Sequence, residues 1–298
     1  MRKIFNFTNK NMRFINLKIL KINNKKSLRN TFLTIILTLN ILLLHSCKDE
    51  NVIRNLDLKS TQSCNDYILA QTTFNTIGTI VQDAMSYRIQ GQNYPNYQII
   101  NSDTTNLDTL IVNFGSSNYL HNTSLLRGKI NITYTGAYRD SLSVITITLD
   151  NFYLNNNLIQ GTKILQNFGK NNQGNTLINV AINDASINTV NGTIDFNSNY
   201  LMEWTEGYNT YNNITDDSYI ISGELFGNNL NGNDFNSNII SPLHYSLKCY
   251  PNCLITSGEV EVNPVGYSNR IINFGDSLCD CNVNILIDNE TYPITIYP

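Results

Sequence analysis

Charge is scarce in this 298-residue chain: Asp, Glu, Lys and Arg together make up 14%, against about a quarter in ordinary globular domains. Too few charged helix formers remain for a long coiled coil, and 16 Gly leave no collagen repeat. Histidine occurs three times, and neither G-x-S-x-G nor H-E-x-x-H is present, so nucleophile-elbow and zincin hydrolases lack their motifs. No Asp-x-Asp-x-Asp-Gly loop offers an EF-hand calcium site. No apolar run reaches the roughly 20 residues that a membrane-spanning helix needs. Asparagine, by contrast, occurs 50 times, roughly four times its ordinary share. It is accompanied by many Ile, Thr and Tyr. Those residues favour strands and Asn favours turns, so the composition reads as many strands joined by many turns. With 41% hydrophobic and 10% aromatic residues, the chain can fill a core and is no disordered polar tail.

The net charge of −3 hides two unlike parts. Residues 1–30 carry nine basic groups and no acid, and Phe32–Leu44 is an almost unbroken apolar run of 13 residues. A basic region, a short apolar region and a small residue before a cut have the order of a secretory signal, begun at Met1 or Met12. Leu44-His45-Ser46-Cys47 follows and resembles a bacterial lipobox. The resemblance implies acylation at Cys47 and cleavage just before it. Lys48, Asp49 and Glu50 come next and resemble the surface-export signal of Bacteroidota-type lipoproteins. Residues 47–298 keep 11 basic and 23 acidic groups, a formal charge of 11 − 23 = −12. Such an acidic body repels nucleic acid.

The expected organisation is a lipoprotein signal peptide over 1–46, a lipidated tether over 47–66, a helix region over 67–96 and a β domain over 97–298. Phe74, Ile77, Val81 and Ala84/Met85 recur at steps of three and four and predict one amphipathic helix over Thr72–Tyr87. Alternating runs then predict strands, from Thr109–Phe114, Lys129–Thr135 and Val144–Leu149 through Leu177–Ile182, Gly192–Phe196 and Tyr219–Phe226. His244–Leu247, Glu259–Asn263, Ile271–Phe274, Val283–Ile287 and Tyr292–Tyr297 complete the set. Asn155-Asn156-Asn157, Asn191-Gly192 and Asp288-Asn289-Glu290 read as hairpin turns. Links this short cannot hold parallel crossovers. The fold class is therefore all-β: an antiparallel meander, as a curved sheet, sandwich or partly open barrel, with one N-terminal amphipathic helix. The Asn/Gly-rich stretch 227–238 is expected to be a long surface loop. An internal echo relates Gly128-Lys-Ile-Asn-Ile-x3-Gly136 to Gly258-Glu-Val-Glu-Val-x3-Gly266, each followed by an arginine, Arg139 or Arg270. Duplication and shared hairpin grammar explain it equally well.

The run GKINITYTGAYRDSLSVITITLDNFYLNNNLIQGT from Gly128, MEWTEGY around Trp204, DDSYIISGELFGNNLNG, and SGEVEV with INFGDSLCD together resemble a family of uncharacterised Bacteroidota-type surface lipoproteins. The resemblance covers most of 105–298. It implies an all-β fold and an outer-membrane location, and transfers no catalytic residue. A Cys pair near Tyr97 and Gly115, which the resemblance leads one to expect, is missing here.

Among residues that could carry chemistry, Cys249, Cys253, Cys279 and Cys281 have loosely metal-like spacing, but export favours disulfides. A hairpin folding back at about 264–269 would bring Cys253 beside Cys279 or Cys281, giving at least one bridge between the two pairs and leaving Cys64 free. His121 and His244 lie far apart and have no Ser or Asp partner motif. Glu203 and Glu206 flank Trp204, with Asp216 and Asp217 further on, and could form a glycosidase pair. Their opposite parity on a strand argues instead for solvated acids. Asp276, Asp280 and Asp288 lack a calcium-loop pattern. Trp204, Tyr208 and Tyr211 are the candidate ligand contacts if exposed, and sheet packing if buried. Asp-Ser/Thr-apolar triplets at Asp108, Asp140 and Asp276 resemble O-glycosylation sites. No catalytic residue, metal or cofactor is expected. The leading expectation is a non-enzymatic, outer-membrane surface lipoprotein with a binding or envelope-structural role. Its partners would be the membrane, through the anchor, and a glycan or envelope protein. One alternative is a carbohydrate-binding or weakly hydrolytic surface protein. Another is a lipid carrier with a curved-sheet cavity.

Overall fold

The computed structural model describes residues 60–86, 95–100, 107–211 and 213–296, all within the compact unit Asp57–Pro298. The leader, Cys47 and the Lys48-Asp49-Glu50 signal lie outside the described residues. No described helix is long and apolar enough to cross a membrane.

Among the described residues, one α-helix precedes fourteen strands. Helix α1 spans Gln62–Ser86. Strands β1 (Asn96–Ile100), β2 (Asp108–Asn113), β3 (Tyr119–His121), β4 (Ser124–Tyr134) and β5 (Val144–Leu154) open the sheet. Strands β6 (Asn157–Lys170), β7 (Thr176–Thr189), β8 (Gly192–Glu206), β9 (Ser218–Asn228) and β10 (Asp234–Ser246) form its centre. Strands β11 (Ile255–Pro264), β12 (Arg270–Asp276), β13 (Asn282–Ile287) and β14 (Glu290–Thr295) end it. Each strand pairs antiparallel with its sequence neighbour, except that β4 pairs with both β2 and the short β3. The result is the expected antiparallel meander as a single unclosed sheet. Two-residue turns join several hairpins. Asn155 and Asn156 have φ of 50° and 66°, and Asp288 and Asn289 have 47° and 67°. These left-handed values are the ones a type I′ turn requires, and Asn and Asp tolerate them best.

The sheet bends at bulges, and two of them explain the internal echo. Gly128 (φ 90°) sits where the β4–β5 register shifts. Gly258 (φ 114°) sits where the β10–β11 register shifts. A Cβ would fall 2.0 Å from the Asn151 carbonyl oxygen at the first and 2.5 Å from that of Pro242 at the second. Only glycine permits both the angle and the approach. The arginine that follows each repeat is buried in both cases. Arg139 donates to the carbonyls of Gly207, Tyr208 and Thr210, and Arg270 to those of Ser60 and Ser268.

Three local expectations are corrected. The helix begins at Gln62, not Thr72, and takes in residues 62–66 of the expected tether. Stretch 227–238 is no long loop: β9 runs to Asn228, Asn229 closes a five-residue turn by bonding Asn233, and β10 begins at Asp234. The expected strand His244–Leu247 is the end of β10, and Leu247 opens a short 3-10 turn instead.

Candidate functional site

Helix α1 buries apolar and polar side chains together. Its buried residues include Ser63, Asp66, Gln71, Thr73, Asn75, Thr79 and Gln82. A buried polar side chain is costly unless it is bonded, and most of these are. The Asp66 carboxylate accepts from the Leu230 amide at 2.9 Å and from Gln62 at 2.7 Å. Asn229 donates to Ser63 at 3.0 Å, and Thr79 shares a 2.8 Å bond with the Tyr245 hydroxyl. Gln82 donates to Asp217 at 2.5 Å and to the Tyr219 hydroxyl at 2.9 Å. Apolar packing adds Phe74, fully buried and edge-on to Phe196 with ring centroids 5.4 Å apart.

The middle of the helix meets a buried lysine. Lys163 of β6 is 3% exposed and donates from Nζ to the Phe74 carbonyl at 2.9 Å. A Cβ on Gly78 would lie 2.7 Å from that Nζ, so the missing side chain makes room for the contact. Burial pushes the ammonium down from 10.5 to about 7.

Beyond the helix's C-terminal half lies an aromatic cluster. Trp204 is 1% exposed and packs on Tyr138, Tyr208 and Tyr219 at 5.2–5.9 Å between centroids. Its indole N–H donates to the Glu206 carbonyl at 2.7 Å. The Arg139 guanidinium lies 4.4 Å over the Trp204 ring, 5.1 Å from Tyr211 and 3.9 Å from Asp217. Asp217 is fully buried; burial raises its carboxyl to about 7 against the opposing pull of Arg139. Its Oδ1 has no hydrogen-bond partner among the described residues. Of the three aromatic candidates, then, Trp204 is a packing residue, Tyr208 is half-buried and Tyr211 is exposed.

Above this cluster opens a cleft of about 270 Å³ between the β6–β7 turn and the β8–β9 loop. Lys170, Asn175, Thr205, Glu206, Tyr208, Asn209, Thr210 and Asp216 line it over the edge of Trp204. The paired-acid hypothesis can be judged here. Glu203 accepts from Asn171 and Asn175 at 2.8 Å each, whereas Glu206 is held by Lys248 at 2.5 Å, which lowers its carboxyl. Each acid is thus committed to a different neighbour. Asp216 accepts from the Thr210 hydroxyl at 2.9 Å.

A second opening lies between α1, the β3–β4 turn and the segment 250–255. It measures about 90 Å³ and is mainly apolar, well below the roughly 300–1,000 Å³ of small-molecule sites. Here the Tyr250 hydroxyl lies 3.3 Å from His121 Nε2 and also bonds Asn122. Partial burial lowers the His121 imidazole. His244 is exposed on β10.

Two disulfides staple this side: Cys249–Cys279 and Cys253–Cys281, with Cα atoms 5.2 and 5.3 Å apart. Both bridges run between the two cysteine pairs, and Cys64 is free, buried and pushed up to about 12 by desolvation. Asp276, Asp280 and Asp288 are exposed. Among the described residues, no three His, Cys, Asp or Glu side chains converge as a metal site. Sequence reasoning missed Lys163, Arg139 and the Asp217–Gln82 contact. The echo placing an arginine after each Gly-x7-Gly unit was the one usable signal, for Arg139. No family model matches the chain, and neither a curated protein nor a solved structure is detectably similar to it.

Proposed function

We propose that the chain is an outer-membrane lipoprotein, anchored through acylated Cys47 and displayed on the cell surface, with a non-catalytic binding role. The anchor and export readings are supported by the basic leader, the 13-residue apolar run and the Leu44–Glu50 motif. The binding role is supported by one observation above the rest: the cleft over Trp204, whose loop is braced from below by Arg139. A site held open by buried contacts costs little ordering when a ligand arrives. A catalytic role is less well served, since Glu203 and Glu206 are bound to separate partners. The apolar opening of about 90 Å³ is small for the lipid-carrier reading.

Metabolic labelling with an alkyne fatty acid tests the anchor. The wild-type chain is expected to label and to partition into detergent, and Cys47→Ala to do neither. A Cys47→Ala chain that still labels would refute the anchor.

A further inference from the structure

We propose that the cleft between the β6–β7 turn and the β8–β9 loop binds a single saccharide unit of a glycan. The inference deepens the binding role above and rests on it. Its basis is the chemistry of the lining. None of the side chains around the cleft is aliphatic; they are hydroxyls, amides, carboxylates, one ammonium and aromatic rings. An apolar ligand would strip water from Asp216 and Asn175 without replacing its hydrogen bonds. A strongly anionic ligand would meet Glu206 and Asp216, and a cationic one would meet Lys170. A neutral polyol satisfies all of them, because each hydroxyl both donates and accepts.

The aromatic component fits the same ligand. Tyr208 lines the cleft, with the Lys170 ammonium 5.0 Å from its ring centroid, and Tyr211, just outside the lining, is 64% exposed. Such rings pack against the C–H face of a pyranose while amides and carboxylates bond its rim. The volume of about 270 Å³ is close to the lower end of small-molecule sites. Arg139 is the positioning residue. Its bonds to the carbonyls of Gly207, Tyr208 and Thr210 hold the loop before any ligand arrives.

The chain's one tryptophan lines the cleft from below, so its fluorescence is a local probe of this site and the aromatic cluster under it. The experiment titrates full-length protein, kept in a non-glycosidic detergent, with glucose, galactose, mannose and N-acetylglucosamine, using glycerol as the control. A saturable change is expected with at least one sugar and none with glycerol. Tyr208→Ala and Asp216→Asn should each weaken binding about tenfold, a loss of about 1.4 kcal/mol. Asp216 is only partly buried, so Asp216→Asn keeps the test usable even where Tyr208→Ala disturbs the loop. The proposal is overturned by the absence of a saturable change with all four sugars, or by a change that survives both substitutions. Either result leaves the anchor and its labelling test untouched.

Discussion

Stability should rise, not fall, between pH 7 and pH 9, and Lys163 is the reason. Its ammonium is buried against the Phe74 carbonyl, with no carboxylate within ion-pair distance among the described residues. Burial lowers it from 10.5 to about 7. In that window the unfolded chain still holds the proton and the folded chain has released it. Raising the pH therefore favours the folded state, and the contribution is lost as pH falls through 7. At 1.36 kcal/mol per unit, with curvature near the lower value, the gain from pH 7 to pH 9 is about 2 kcal/mol. Urea denaturation of the disulfide-intact protein at pH 7, 8 and 9 measures it. The range stops at 9 because buried Tyr67, Tyr138 and Tyr245 ionise in the unfolded chain near pH 10 and oppose the trend beyond it. Lys163→Met keeps a long side chain without the charge, and its stability should not rise across the same range, where Asp217 and Cys64 pull weakly the other way. Equal wild-type stability at pH 7 and 9, or a rise of the same size in Lys163→Met, would refute the reasoning.

Asp217 acts on the other side of neutrality. Its carboxyl is raised to about 7, so its contribution is present below about pH 4 and is lost as the pH climbs to 7; wild-type protein should be more stable at pH 5 than at pH 7 by on the order of 2 kcal/mol, and Asp217→Asn should flatten that limb in the same urea assay. Reducing both disulfides should lower stability by about 3–4 kcal/mol rather than twice that, because the loops of 30 and 28 residues nearly coincide; thermal melts with and without reductant measure the loss. Phe74→Ala, which empties the contact with Phe196, should cost about 3–5 kcal/mol in chemical denaturation. Cys64, buried and raised to about 12, should resist maleimide labelling in the native state and react at once in urea.

The fold was legible where local chemistry and burial agree. Asn155-Asn156 and Asp288-Asn289 carry their turn geometry in their own side chains. Val260 and Val262 alternate with Glu259, Glu261 and Asn263, and both point inward. Counting along that hairpin was enough to bring the cysteine pairs together. Reading failed where the inward residues are polar. Strand β6 was missed because its buried positions are Ile159, Lys163, Leu165, Asn167 and Gly169, which break the apolar alternation. The first turns of α1 were missed for the same reason: Ser63, Asp66 and Gln71 face inward, Ser63 and Asp66 bonding Asn229 and Leu230 far along the chain and Gln71 bonding Asn75 within the helix. Stretch 227–238 looked like a loop by composition, yet Asn229 closes a tight turn by accepting from Asn231 and Asn233. The cleft joins residues from turns about 30 positions apart, and its brace, Arg139, comes from further still. No local pattern records that meeting.

Display at the cell surface is the claim on which the rest of the functional account stands, and antibody staining of intact cells against the β domain tests it most directly. Wild-type cells should stain without permeabilisation, whereas cells carrying Lys48→Ala, Asp49→Ala and Glu50→Ala together should stain only after it. Wild-type cells that stain only once permeabilised would contradict the account.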